Sequence, residues 1–180
     1  MMTQDQRKAN ADRILYEFGL YKKLEEIGRP HFVGSYRMNM MAWNDLDIDI
    51  ENDGMSLSKL HELTAYILKT FSPVWYEAKQ ETLPDGKTVW FHGFETLITG
   101  ELFNVDLWFF DIETIIKAEN YCDKIASKVD DEICKAIITI KSELIELDMY
   151  SFDKYKSIDV YDAVIEKGAR NIEGFFACKK

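Results

Sequence analysis

No two cysteines of this chain stand at metal-ligand spacing. Cys122, Cys134 and Cys178 are odd in number and far apart, which reads as buried or free thiols in a reducing compartment. Paired histidine motifs are missing too. His31, His61 and His92 are isolated, so each is expected to pack or hydrogen-bond rather than bind metal. No apolar run nears the roughly 18 residues of a membrane helix. The polar start, Met-Met-Thr-Gln-Asp-Gln-Arg-Lys, has no hydrophobic signal core. A soluble, cytoplasmic protein without membrane association is expected. There is also no basic run: 22 Lys and Arg face 32 Asp and Glu, for a net charge of −10. Proteins that coat nucleic acid draw affinity from neutralising phosphates, so nucleic acid is not the expected partner. An acidic cleft instead attracts divalent metals and cationic small molecules.

What is present is enough for one folded unit. The chain has 180 residues, 47% of them hydrophobic, without repeats or low-complexity tracts. The stripe Ile14, Phe18, Tyr21, Leu24 and Ile27 predicts a helix over 5–27, ended by Gly28 and Pro30. A short strand at 31–33 leads into Gly34-Ser35, and a helix is expected from Tyr36 to about Trp43. Residues 45–51 alternate strictly, with Asp45, Asp47 and Asp49 on one strand face and Leu46, Ile48 and Ile50 on the other. After the turn Asn52-Asp53-Gly54, Ser56 or Ser58 caps a helix bearing Leu60, Leu63, Ile67 and Phe71. Three strands follow at 74–79, 88–97 and 102–110, joined through Pro84-Asp85-Gly86 and Thr99-Gly100 into a meander. From Ile112 onward the pattern is helical. It is clearest at 131–148, where Ile133, Ile137, Ile140, Leu144 and Leu147 keep 3-4 spacing. A helix at 158–167 is capped by Ser157 and closed by Gly168, with a last turn at 170–177. The fold class is α+β, a mixed sheet of about five strands with flanking helices and a helical C-terminal part.

The chemistry concentrates in two places. Asp45 and Asp47 lie two apart on one strand, so their carboxylates project together, about 7 Å apart at the backbone. Both can reach a hard cation such as Mg²⁺. Acids crowded on one face repel unless a cation or protons offset them. Asp106, inside the apolar run Phe103-Asn-Val-Asp-Leu-Trp-Phe-Phe110, needs a partner, which a shared metal would supply. Gly34 after a strand lets backbone approach an anion, Ser35 adds a hydroxyl, and Arg37 could reach a phosphate with its fork of donors. Taken singly, each feature also has an ordinary reading: a solvent-facing strand, a turn, a solvated arginine. The tryptophans Trp43, Trp75, Trp90 and Trp108 are expected mostly in the core.

Gly34-Ser35, nine intervening residues, Asp45-Leu46-Asp47-Ile48 and the later Val105-Asp106-Leu107 together resemble the polymerase β-like nucleotidyltransferase superfamily over residues 31–110. In size and composition the chain looks most similar to the small lincosamide and aminoglycoside nucleotidyltransferases. The resemblance implies a catalytic core over 1–112 with a helical part over 113–180 packed on it. It also implies an EC 2.7.7-type enzyme that moves a nucleoside monophosphate from an NTP, such as ATP, to a hydroxyl of a small acceptor. Two Mg²⁺ ions would be held by Asp45, Asp47 and Asp106, with Gly34, Ser35 and Arg37 on the nucleotide. Asp106, or a neighbouring acid such as Glu95 or Glu77, is the candidate for taking the acceptor proton. Asp47/Asp49 is the alternative metal pair, with Asp45/Asp47 favoured because it lies at the strand end near Ser35. A homodimer is compatible with this reading. An antitoxin-type protein nucleotidyltransferase and a catalytically silent binding module remain as alternatives.

Overall fold

The computed structural model describes residues 2–83, 85–151 and 153–179. The turn expected at Pro84-Asp85-Gly86 falls partly outside them. Five strands form one mixed sheet in the order β1-β2-β5-β4-β3. They are β1 (Pro30–Phe32), β2 (Asp45–Glu51), β3 (Trp75–Thr82), β4 (Thr88–Ile98) and β5 (Glu101–Phe110). β1 is antiparallel to β2, β2 parallel to β5, and β5-β4-β3 an antiparallel meander. Only two residues, Thr99 and Gly100, join β4 to β5, both at positive φ (53° and 85°). That is the twist a two-residue hairpin loop requires.

The helices are α1 (Gln4–Asp12), α2 (Leu20–Glu25), α3 (Gly34–Arg37), α4 (Leu57–Phe71), α5 (Ile112–Ala126), α6 (Asp131–Glu146), α7 (Ser157–Tyr161) and α8 (Ile172–Ala177). Side-chain oxygens cap four of the longer ones: Thr3 on α1, Ser56 on α4, Asp111 on α5 and Asp130 on α6. None of the described helices is long and apolar enough to cross a membrane.

Alternation along the strands decides where the core sits. Leu46, Ile48 and Ile50 of β2 and Val105, Leu107 and Phe109 of β5 share one face. They pack with Ile14, Leu15, Leu20 and Leu24 before the sheet and Leu63, Ile67 and Phe71 of α4. A second cluster joins Val33, Met38 and Met40 to Ile137, Ile140 and Leu144 of α6, Val160, Val164 and Phe175. The opposite sheet face, carrying the aspartates, looks toward this second cluster.

Four expectations need correction. The helix over 5–27 is not continuous. α1 passes into a π-turn at Arg13–Glu17, and Gly19, at φ +81°, breaks the chain before α2. The helix from Tyr36 to Trp43 shrinks to the single turn of α3. After Met38 the backbone reaches positive φ at Asn39, and residues up to Asn44 run irregularly. Ser157 is the first helical residue of α7, with Lys156 at the cap. Nor do the tryptophans form core as a set. Trp90 packs against the first cluster, whereas Trp43 and Trp75 are exposed and Trp108 lines a cleft.

Candidate active site

The parallel ladder between β2 and β5 sets Asp47 directly opposite Asp106 and Asp45 opposite Asn104. Carboxylate oxygens of Asp45, Asp47 and Asp106 all lie within 4.8 Å of one another. The Asn104 amide donates to Asp45 Oδ1 at 2.8 Å, which fixes that carboxylate. Asp49 lies deeper. It is opposite His31 in the β1–β2 register and only 6% exposed, outside the three-carboxylate group.

The electrostatics of the group are those of like charges short of a counter-ion. Burial, then Asp47 and Asp106, push Asp45 well above the usual carboxylate range, with Asn104 pulling back. Burial, then Asp106 and Asp49, raise Asp47 to about 6. Asp106 is raised by burial and by Glu77 and Glu95, against the opposing effect of Asn104. Burial also lifts Asp49 to about 7, against the pull of His31. A divalent cation with oxygen ligands would relieve this repulsion, and the donor set suits Mg²⁺.

Gly34 follows β1 at φ +61° and presses its backbone on the site. A Cβ there would lie 2.1 Å from Asp47 Oδ2, so no side chain fits. The Val33 N–H donates to the Asp47 carbonyl at 3.3 Å. Tyr36 anchors the turn from behind, its hydroxyl donating to Asp12 Oδ1 at 2.6 Å. Ser35 is buried, and its hydroxyl has no hydrogen-bond partner among the described residues. A buried hydroxyl left unmatched is costly unless a ligand completes it.

Arg37 is not brought to the cleft. Its guanidinium forks onto Asp123 at 2.9 and 3.0 Å and reaches Glu119 at 2.9 Å, binding α3 to α5. Glu119 also meets His31 at 3.3 Å. The cation in the cleft is instead Lys141 of α6. It is 1% exposed, and among the described residues it has no ion pair. Lys141 Nζ donates to the Tyr161 hydroxyl at 3.4 Å and sits over the Tyr150 and Tyr161 rings at 5.5 and 5.2 Å. Burial lowers it to about 8, opposed by Asp45 and Asp47. The sequence carried a signal for it. Lys141 follows Ile137 by four residues and precedes Leu144 by three, so a charge lies within the apolar stripe of α6.

Gly34, Ser35, Asp45, Asp47, Trp108 and Lys141 line one cleft of about 280 Å³. It adjoins an aromatic cavity of about 490 Å³ walled by Tyr121, Tyr150, Tyr155 and Tyr161, and Trp43 borders both. On the far side of Asp106, the same sheet face carries Glu77, Glu95 and an aromatic row. Phe91 lies 4.5 Å from Trp108, which stacks on Phe110 at 5.4 Å.

No protein-family model matches the sequence, and no curated protein does. Solved structures do match. A Cid1 poly(U) polymerase with MgGTP bound is 15% identical at a TM-score of 0.61, over 89% of this chain and 50% of that one. A cytoplasmic RNA terminal U-transferase is 15% identical at 0.57, over 89% and 47%. The non-canonical poly(A) polymerase of a GLD-2–GLD-3 complex is 13% identical at 0.56, over 94% and 55%. The chain thus spans about half the length of each. These neighbours do not carry the narrower resemblance to antibiotic-modifying enzymes. What they share with this protein is architecture: the chain has the fold of the polymerase β-like nucleotidyltransferases.

Proposed function

We propose that this protein is a Mg²⁺-dependent nucleotidyltransferase. The observation that carries the reading is the meeting of three carboxylates beside the Gly34-Ser35 turn, within this fold. The acceptor hydroxyl oxygen would attack the α-phosphorus of an NTP, and the bond from that phosphorus to the bridging oxygen would break. Pyrophosphate leaves with the electron pair. Asp45, Asp47 and Asp106 would hold the metal, two ions in this reading, which supplies charge stabilisation for the attacking and leaving oxygens.

The chain's own groups have separable tasks. Backbone at Gly34, the Ser35 hydroxyl and the Lys141 ammonium receive the triphosphate; Arg37, committed to Asp123 and Glu119, does not. The tyrosine-walled cavity offers faces on which a base can stack. Asp106 takes the acceptor proton, its affinity for protons raised by burial and then by Glu77 and Glu95. Residues 1–112 form the catalytic core, and 113–180 supply Lys141 and the tyrosines.

For the acceptor we favour a small hydroxylated molecule, cationic in part. The net charge of −10 and the acids around Asp106 oppose a polyanion. An RNA end is the second reading, favoured by the neighbours, an RNA terminal U-transferase, a poly(A) polymerase and a poly(U) polymerase. Calorimetry with ATP and Mg²⁺ on the parent and on Asp45→Ala/Asp47→Ala tests the enzyme. Metal-dependent binding lost in the variant supports it, and no binding in either refutes it. Labelled NTP offered with a metabolite and antibiotic panel, RNA oligonucleotides and lysate then identifies the acceptor. Label on RNA or on a protein band alone overturns the small-molecule choice.

A further inference from the structure

Trp43 also borders a third cavity, of about 340 Å³, which Lys141 does not line. Arg7, Trp43, Asn44, Glu95, Glu101 and Asn104 line it. Asn104 is the residue that clamps Asp45, so this cavity abuts the carboxylate group. Arg7 is the unusual member. It comes from the middle of α1, where the helix packs on the irregular segment 38–44, and it is 8% exposed. Among the described residues its guanidinium has one partner, the Met41 carbonyl, which accepts from Nη1 at 3.3 Å. The remaining N–H donors of the fork have none, and no carboxylate lies within ion-pair distance.

An arginine so largely enclosed, with its free donors reached only through the cavity and no anion beside it, is an uncommon arrangement. Burial alone lowers its affinity for the proton, and no neighbouring charge offsets that effect. Glu95 and Glu101 share the cavity yet do not pair with it. Among the described residues the Asn44 side-chain carbonyl is buried without a donor. A structural strut would need only the Met41 contact. The fork, its planar donors spaced to match two oxygens, is left for something that enters the cavity.

We infer that this cavity is a subsite for an oxyanion, a carboxylate or phosphate group carried by the acceptor, bound by the Arg7 guanidinium. Its place on the acceptor side rests on the transferase reading; the anion site itself does not. With Glu95 and Glu101 also lining the cavity, the ligand would be a zwitterion: its anionic end at Arg7, its cationic part toward a glutamate, its hydroxyl toward Asp106.

The test needs neither nucleotide nor metal. Acetate, and separately inorganic phosphate, is titrated into the EDTA-treated protein at constant ionic strength. The Arg7 Nε–H resonance is followed by heteronuclear NMR, assigned by its loss in Arg7→Lys. A saturable shift in the parent that persists in Lys141→Met supports the site. Followed instead through the Asn44 and Asn104 side-chain amide resonances, anion binding in Arg7→Met should weaken by about tenfold or more, as loss of a bidentate charge-assisted contact does. Tighter phosphate than acetate identifies a phosphorylated ligand, and the reverse a carboxylate; both support the inference. An Arg7 resonance that ignores both anions overturns it, and so does one that responds only when Lys141 is present. Should Arg7→Met fail to fold, the parent and Lys141→Met titrations still decide. Failure of MgATP to bind would refute the transferase and leave this result untouched.

Discussion

Asp47→Asn should make the metal-free protein more stable while disabling it. Asp47 is displaced from its ordinary 3.8 to about 6 by burial and by Asp106 and Asp49. The sign follows from proton linkage. A carboxyl whose folded value is raised holds its proton better in the native state, so stability falls as pH rises from about 4 to about 6. Above pH 6 the full penalty is present, and the displacement corresponds to about 3 kcal/mol. Asparagine keeps the shape and removes the charge, so about 2 kcal/mol of that should return at pH 7.5 once imperfect hydrogen bonding of the amide is allowed for. The assay is urea unfolding in EDTA at pH 7.5 and at pH 4, then with Mg²⁺. The variant should be the more stable at pH 7.5 and match the parent at pH 4. Mg²⁺ should stabilise the parent only, since it binds the folded state through these carboxylates. A less stable variant in EDTA, together with a parent indifferent to Mg²⁺, would refute the picture of an under-neutralised carboxylate group.

Three further outcomes are expected. Ser35→Ala removes a buried hydroxyl that has no partner among the described residues, so stability should change by less than about 1 kcal/mol, while affinity for MgATP in calorimetry falls by about fivefold or more. Gly34→Ala places a methyl 2.1 Å from Asp47 Oδ2 at a backbone angle that alanine disfavours. Label transfer should fall about 100-fold, with a loss of roughly 1–3 kcal/mol by denaturant unfolding. His92 is buried and pushed from 6.5 down to about 4, with the Leu60 carbonyl 3.3 Å from Nε2. The unfolded chain binds the proton first on acidification, so His92 should withdraw up to roughly 3 kcal/mol of stability between pH 6.5 and pH 4. His92→Phe should remove that slope, seen as the difference between parent and variant in unfolding at pH 7 and pH 5.

Where side-chain period and local punctuation agree, the sequence was readable. The alternation of 45–51, the hairpin at Thr99-Gly100 and the apolar stripe of 57–71 emerge as β2, the β4–β5 turn and α4. The carboxylate group was legible because charges amid apolar strands have few other uses. What escaped was set by tertiary contacts. The stripe over 5–27 runs across Gly19 without a break in hydrophobicity, yet its hydrogen bonding slips at the π-turn. Residues 38–44 have helical composition, but α1 and α6 pack against them and hold them irregular. Arg37 looked available because its partners, Glu119 and Asp123, lie more than eighty residues away. Lys141 went unread for the mirror reason: inside an apolar stripe, a lysine registers as an interruption until the sheet face opposite it is known.

The two-residue loop at Thr99-Gly100 is also a ruler. It fixes how many residues separate the reversal from Asp106, and strand side chains swap sides at every step. Adding or deleting one residue between that loop and Asp106 would keep β5 in place and point the carboxylate at Leu46 and Ile48 instead of its companions. A change of two keeps the side but slides the carboxylate about 7 Å along the strand from Asp47, so this hairpin tolerates length variation only outside the ladder.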